Sequence, residues 1–266
     1  MNATDVRASS PAAVPRPCQT PGTSARSIAR QTSSERRFYS GFSLAMLVCV
    51  LIGFARSFYL KPVLFPDFPV PPEAIFIVHG FVFSAWLLLL IAQTTLIATG
   101  NVQQHRSFGT FGAVLAMVMV PMGVYVGLVA AHRPGGFISI PIPPLQFLIV
   151  PLASIVLFAI FVVLAVVRLR DAQVHKRMML LGTLQLVTPG IARWPGLAPF
   201  GPLAFFGLTD VFVIALAIFD FRTRGRLHPA TLWAGALTIV AQPVQLALSG
   251  TEAWLTFARW ATGMLG

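Results

Sequence analysis

A few arginines, one aspartate and five histidines, set in or beside long apolar stretches, are the residues of this 266-residue chain that could do chemistry. Ionisable groups are costly at membrane depth, so each one there is a candidate for ligand binding or proton movement. Four stand out. Arg56 and Arg193 lie near the ends of apolar blocks, His79 a few residues into one, and Asp210 inside another. At a rise of about 1.5 Å per residue, Asp210 sits roughly 10 Å along its helix and needs a partner or a proton there. Arg193, on the preceding block at a similar level, is the obvious counter-ion. Together the four predict a small polar pocket that binds or passes a small solute or a proton.

The remaining histidines mark block boundaries: His105-Arg106, His175-Lys176-Arg177 and His228-Pro229 precede blocks, and His132-Arg133 follows one. Two neutral imidazoles facing one another can hold a b-type haem. His105 with His175 would form an inner pair, and His79 with His132 an outer one. A haem-bearing or quinone-linked redox protein is therefore the alternative to the solute pocket, although histidines beside basic residues fit a headgroup-facing role equally well. No His-x-x-His, His-x-x-x-His or Cys-x-x-Cys spacing occurs, so no zinc-type metal centre is expected. Phosphate loops, dinucleotide fingerprints, nucleophile elbows and close carboxylate pairs are also missing from the sequence. No catalytic residue is assigned, and outside the haem alternative no cofactor is expected. The last apolar block lacks a lysine for a retinal Schiff base.

These groups must be carried by membrane helices. The chain is 56% hydrophobic and 10% charged, with a mean hydropathy of +0.78. Its apolar residues come in blocks of about twenty, the length a helix needs to cross roughly 30 Å of hydrocarbon. Seven blocks are read, at 38–59, 74–99, 108–131, 146–168, 178–195, 203–221 and 231–249. The expected fold is all-α, a polytopic bundle of seven transmembrane helices, with the fifth block shortest and interrupted by Pro189-Gly190. Pro121, Pro151 and Pro243 are further kink positions.

The net charge of +11 lies at block ends, not on a nucleic-acid-binding motif, so no nucleic-acid partner is expected. The tail and the connections after blocks two, four and six hold fourteen of the nineteen basic residues, among them Arg106, Arg168, Arg170, Lys176, Arg177, Arg222, Arg224 and Arg226. The positive-inside rule then puts the N-terminus in the cytoplasm and the C-terminus outside, with the basic connections facing anionic headgroups. On this orientation Arg56, His79, Arg193 and Asp210 all fall in the outer half of the bilayer.

Residues 1–37, rich in Ser, Pro and Arg, read as a disordered basic cytoplasmic tail, and residues 38–250 as the transmembrane domain. The first block ends in Arg56 without a small-residue cleavage site, so a retained helix is expected. Residues 251–266, carrying Trp254, Phe257 and Trp260, read as an amphipathic interfacial segment. Two polar stripes, His79/Trp86/Gln93 and Thr238/Gln242/Gln245/Ser249, are spaced to face other helices and hydrogen-bond to them.

The segments GFARSFYLKP (53–62), HGFVFSAWLLLLIAQ (79–93), HRSFGTFG (105–112), HKRMMLLG (175–182) and DFRTRGRLHPATLWAG (220–235) resemble a group of uncharacterised bacterial multi-pass membrane proteins. More distantly, His105-Arg106, the run from His175 to Met179, and Arg193 resemble membrane proteins built on a domain of unknown function. The resemblance implies a bacterial inner-membrane location and carries no reaction. A scaffolding or assembly role without a ligand is the third expectation.

Overall fold

The computed structural model describes residues 23–69 and 73–265, with side chains from Ser33 onward. The fold is all-α. Helix α1 (Thr23–Phe54) runs into a π-helical turn (Ala55–Tyr59) and the one-turn α2 (Lys61–Leu64). An antiparallel pair follows, α3 (Ala74–Ala98) and α4 (Val102–His132), and then the one-turn α5 (Pro144–Phe147) leads into α6 (Ile149–Val167). After α7 (Ala172–Ile191), a 3₁₀ turn (Ala198–Phe200) enters α8 (Gly201–Arg224), which is followed by α9 (Pro229–Ser249) and α10 (Glu252–Gly263).

Local chemistry sets several of these starts. The Asp171 carboxylate accepts from the Gln173 and Val174 N–H groups at 3.0 and 3.1 Å and opens α7. The Thr251 hydroxyl caps α10 by accepting from Trp254 N. Gly225, with φ 70°, ends α8 in the left-handed conformation that a side chain would resist.

Six segments are long and apolar enough to cross a membrane: Ser33–Tyr59, Ala74–Ala98, Val102–His132, Pro144–Val167, Ala198–Arg224 and Pro229–Ser249. Their outward faces carry Leu44, Phe81, Leu88, Met117, Val163, Val211 and Ile214, all exposed. So much bare hydrocarbon suits acyl chains and not water. The chain is a multi-pass membrane protein.

The fifth expected block is the exception. Helix α7 is 20 residues long, about 30 Å, but Gln173, His175, Lys176, Arg177, Thr183, Gln185 and Thr188 leave it short of the apolarity of a span. Its surroundings explain this: twelve of its twenty residues are buried, and α1, α6, α8 and α9 all pack on it. It takes its solvent from protein. Trp86 Nε1 donates to Thr183 Oγ1 at 3.1 Å, Gln185 Nε2 to Thr238 Oγ1 at 2.9 Å, and Thr188 and Thr209 share a bond of 3.1 Å. One residue of each expected polar stripe, Trp86 on α3 and Thr238 on α9, thus meets α7 in an interhelical hydrogen bond, and Gln242 meets α8 instead.

Helix α1 starts at Thr23, inside the segment expected to be tail, and Glu35 there pairs with Lys176 at 2.7 Å; residues 1–22 lie outside the described residues. The C-terminal segment forms α10, whose Trp254 Nε1 donates to Leu145 O at 2.8 Å while Trp260 stays exposed.

Helices α1 and α7 cross in close backbone contact at Gly53 and Gly190. A Cβ on Gly53 would land inside the van der Waals shell of the Gly190 carbonyl, and one on Gly190 would sit 3.3 Å from Val50 Cα. Small residues allow this approach, and Trp194 Nε1 fastens it by donating to Cys49 O at 2.9 Å. Gly53→Ala should therefore destabilise the protein by about 1–3 kcal/mol through overpacking. Gly41→Ala, on the same helix with open space around it, should not. Thermal unfolding of the two variants in detergent checks the difference.

Candidate functional site

Two polar regions lie at opposite ends of α7. The first is a cleft of about 150 Å³ beside the α1–α7 crossing, lined by Arg56, Ser57, Phe68, Ser139, Arg193 and Trp194 among others. The π-turn after α1 aims Arg56 into it, and such turns gather where function needs an extra residue in a helix. The Arg56 guanidinium lies over the Phe65 and Phe68 rings, 5.4 and 5.1 Å from their centres. Arg193 comes from the turn that follows α7. Its Nη1 donates to Pro189 O at 2.7 Å and its guanidinium sits 5.1 Å from the centre of Phe54.

Neither arginine has a carboxylate partner among the described residues. Ser139, on the cleft wall, is the only described non-glycine residue with positive φ, at 63°, a conformation costing about 1–3 kcal/mol that tends to mark functional sites. His79 lies within electrostatic reach of Arg193 and packs on Phe83, with ring centres 4.1 Å apart.

Asp210 is not paired with Arg193. Its Oδ1 accepts from Gln242 Nε2 at 2.7 Å, within the α8–α9 contact. A neutral amide one helix away supplies the hydrogen bond, while Arg193 turns toward α1. Two of the four expected pocket residues, Arg56 and Arg193, therefore line the cleft; His79 only lies within reach of Arg193, and Asp210 is engaged elsewhere.

The second region lies at the basic-loop end and holds the charge pair that is most deeply buried. Arg177 and Asp220 have side chains fully withdrawn from solvent. Arg177 Nε spans both carboxylate oxygens at 3.1 and 3.2 Å, and Nη2 also donates to Oδ1. Nη1 donates to Gln173 O and Oε1 at 2.9 and 2.7 Å. The second carboxylate oxygen accepts from His228 N at 3.3 Å and from the Thr231 hydroxyl. One network thus joins α7, α8 and the start of α9, with every Arg177 nitrogen engaged. Neither residue was among the expected site residues. Sequence reasoning missed the pair because Arg177 reads as one more loop cation and Asp220 as a helix end. The available signal was an acid standing alone among Arg222, Arg224 and Arg226.

Beside this pair, His105 and His175 do come together, with ring centres 6.4 Å apart at 87°. His79 and His132 do not: His132 is exposed at the end of α4 and makes no ring contact among the described residues.

His228 caps α9, its Nδ1 accepting from Ala230 N at 3.1 Å. Burial, reinforced by the Arg177 and Arg224 cations, holds its pKa below the ordinary histidine value. A depressed histidine leaves the unfolded chain with more bound protons at mildly acidic pH, so stability falls as pH drops below about 6.5. His228→Asn, which keeps a capping acceptor but cannot titrate, should flatten that part of the stability profile when unfolding midpoints are followed between about pH 7.5 and pH 5. Removing one partner of the buried pair, as in Asp220→Asn or Arg177→Met, should cost about 3–5 kcal/mol. The double variant Arg177→Met/Asp220→Leu should recover part of it, read by the same unfolding assay.

The fold is that of a multi-pass helical membrane protein, and the chain matches no known protein family, no curated protein and no solved structure.

Proposed function

We propose that this is a seven-span protein of a bacterial inner membrane, N-terminus in the cytoplasm, that binds a small anionic solute in the cleft between Arg56 and Arg193. The observation that carries the reading is two guanidinium groups lining one cleft with no carboxylate to neutralise them. Arg193 uses one hydrogen bond on its own backbone and Arg56 none among the described residues. Several N–H donors therefore remain for a carboxylate or phosphate, which a planar guanidinium recognises bidentately. The aromatic rings under both groups fix their planes and exclude water from one face. Nothing in the cleft resembles a nucleophile with its base, so binding or passage fits better than a reaction.

The orientation rests on the basic residues, which cluster at the end of the bundle opposite the cleft. In it α7 is the fifth of seven crossings, shielded from lipid by the helices around it. The cleft then opens toward the outer face, and the solute is taken from that side.

Full-length protein in detergent, titrated separately with acetate, succinate and inorganic phosphate, tests the reading by calorimetry and thermal shift. At least one should bind saturably. Arg56→Gln and Arg193→Gln should each weaken it by about tenfold or more, the value of one charge-assisted hydrogen bond. Asp210→Asn should leave it unchanged. Absence of saturable binding, or binding indifferent to both arginine changes, would overturn the assignment.

A further inference from the structure

We propose that His105 and His175 form a two-imidazole site for a first-row transition metal at the basic-loop end of the bundle. His105 stands in the first turn of α4 and His175 in the first turn of α7, far apart in sequence, and the fold sets their rings 6.4 Å apart and nearly perpendicular. A metal about 2 Å from one nitrogen of each ring, with the rings on opposite sides of it, leaves the ring centres roughly 6 Å apart. An edge contact between two rings can show the same spacing, so the nitrogens decide between the two.

His175 Nδ1 lies 2.9 Å from Ala165 O, the last turn of α6. A carbonyl can only accept, so Nδ1 carries the proton and Nε2 is left with a free lone pair. This is how a metal-bound histidine is oriented by the groups behind it. On His105, Nδ1 is buried and has no hydrogen-bond partner, while the backbone carbonyl of Gln93 lies against the ring. The side-chain oxygen of the same Gln93 is also buried and unpartnered. Buried polar atoms are nearly always satisfied, yet two orphans and one free nitrogen gather here. One turn beyond His105, Gly109 presents a bare backbone to Gln93, whose Nε2 at 3.8 Å is the only atom a Cβ there would meet.

The surroundings favour one form of the metal. Arg106, Arg168, Arg170 and Lys176 flank the histidines in sequence. Such cations oppose a bare dication. A haem carries propionates that such residues pair with, and two histidines are an established axial set. Haem iron is therefore the expected form, and a bare zinc or copper ion the other source of the same imidazole chemistry.

Full-length protein expressed with ample haem precursor, then purified and analysed for metal and absorbance, tests the site. The result expected is close to one iron per chain with a Soret band, falling at least roughly tenfold in both His105→Ala and His175→Ala and retained in His79→Ala and His132→Ala. Stoichiometric zinc or copper without a Soret band, lost in the same two variants, supports the site with a bare ion. Should either alanine variant fail to fold, the wild-type protein titrated with hemin, Zn²⁺ and Cu²⁺ must show a saturable rise in unfolding midpoint that His105→Gln removes. Metal retained in both folded variants overturns the proposal, as does failure of hemin and both ions to bind the wild-type protein.

Discussion

Arg177 and Asp220 are each cut off from water, and a buried charge must be met donor for acceptor or it breaks the structure that contains it. Here that demand recruits three helices. Gln173 on α7 takes the spare guanidinium nitrogen, and His228 and Thr231 at the head of α9 supply the carboxylate's remaining donors. The rest of the bundle follows from α7 being held this way. A helix with so many polar groups must be wrapped on all sides, and α1, α6, α8 and α9 do so. Their own polar residues turn inward to meet it, and their apolar faces turn out to lipid.

That arrangement also explains why the chemistry sits at the two ends of one helix. The middle of α7 is filled by Leu180, Leu181, Leu184 and Val187, almost completely buried, with threonine and glutamine bonds closing the gaps. At its ends stand groups with donors or lone pairs to spare: Arg193 where α7 runs into its terminal turn, His175 where it begins. Gly53 and Gly190 place α1 hard against the cleft end of α7, bringing Arg56 across from Arg193. The Lys176–Glu35 pair holds the same two helices together at the other end.

Much of the architecture was legible in the sequence, because block length and apolarity are one-dimensional properties. Six of the seven blocks correspond to helices long and apolar enough to cross a membrane. The interhelical role of Trp86, Thr238 and Gln242 followed from helical spacing alone. Pairing was harder to read. Asp210 was matched to Arg193 by depth, but depth ignores azimuth, and Gln242 on α9 stands nearer its side of α8. The Arg177–Asp220 pair stayed hidden because both residues resemble boundary charges until the helices are extended past the apolar blocks. His105 and His175 could be named as partners from sequence, but not their free nitrogens, which depend on where the Ala165 and Gln93 carbonyls point.

The enclosure of α7 bears on how the chain enters a bilayer. Under a seven-span arrangement, α7 emerges from synthesis carrying Arg177, while the carboxylate that neutralises it lies 43 residues further on. A lone arginine opposes insertion, by up to about 2.5–3.5 kcal/mol at the centre of a span and by less toward its end, where Arg177 stands. In such an arrangement the buried pair stabilises α7 only once α8 is present. The ion pair thus ties the final assembly of α7, α8 and α9 into one step: none of the three is complete until Arg177 and Asp220 meet.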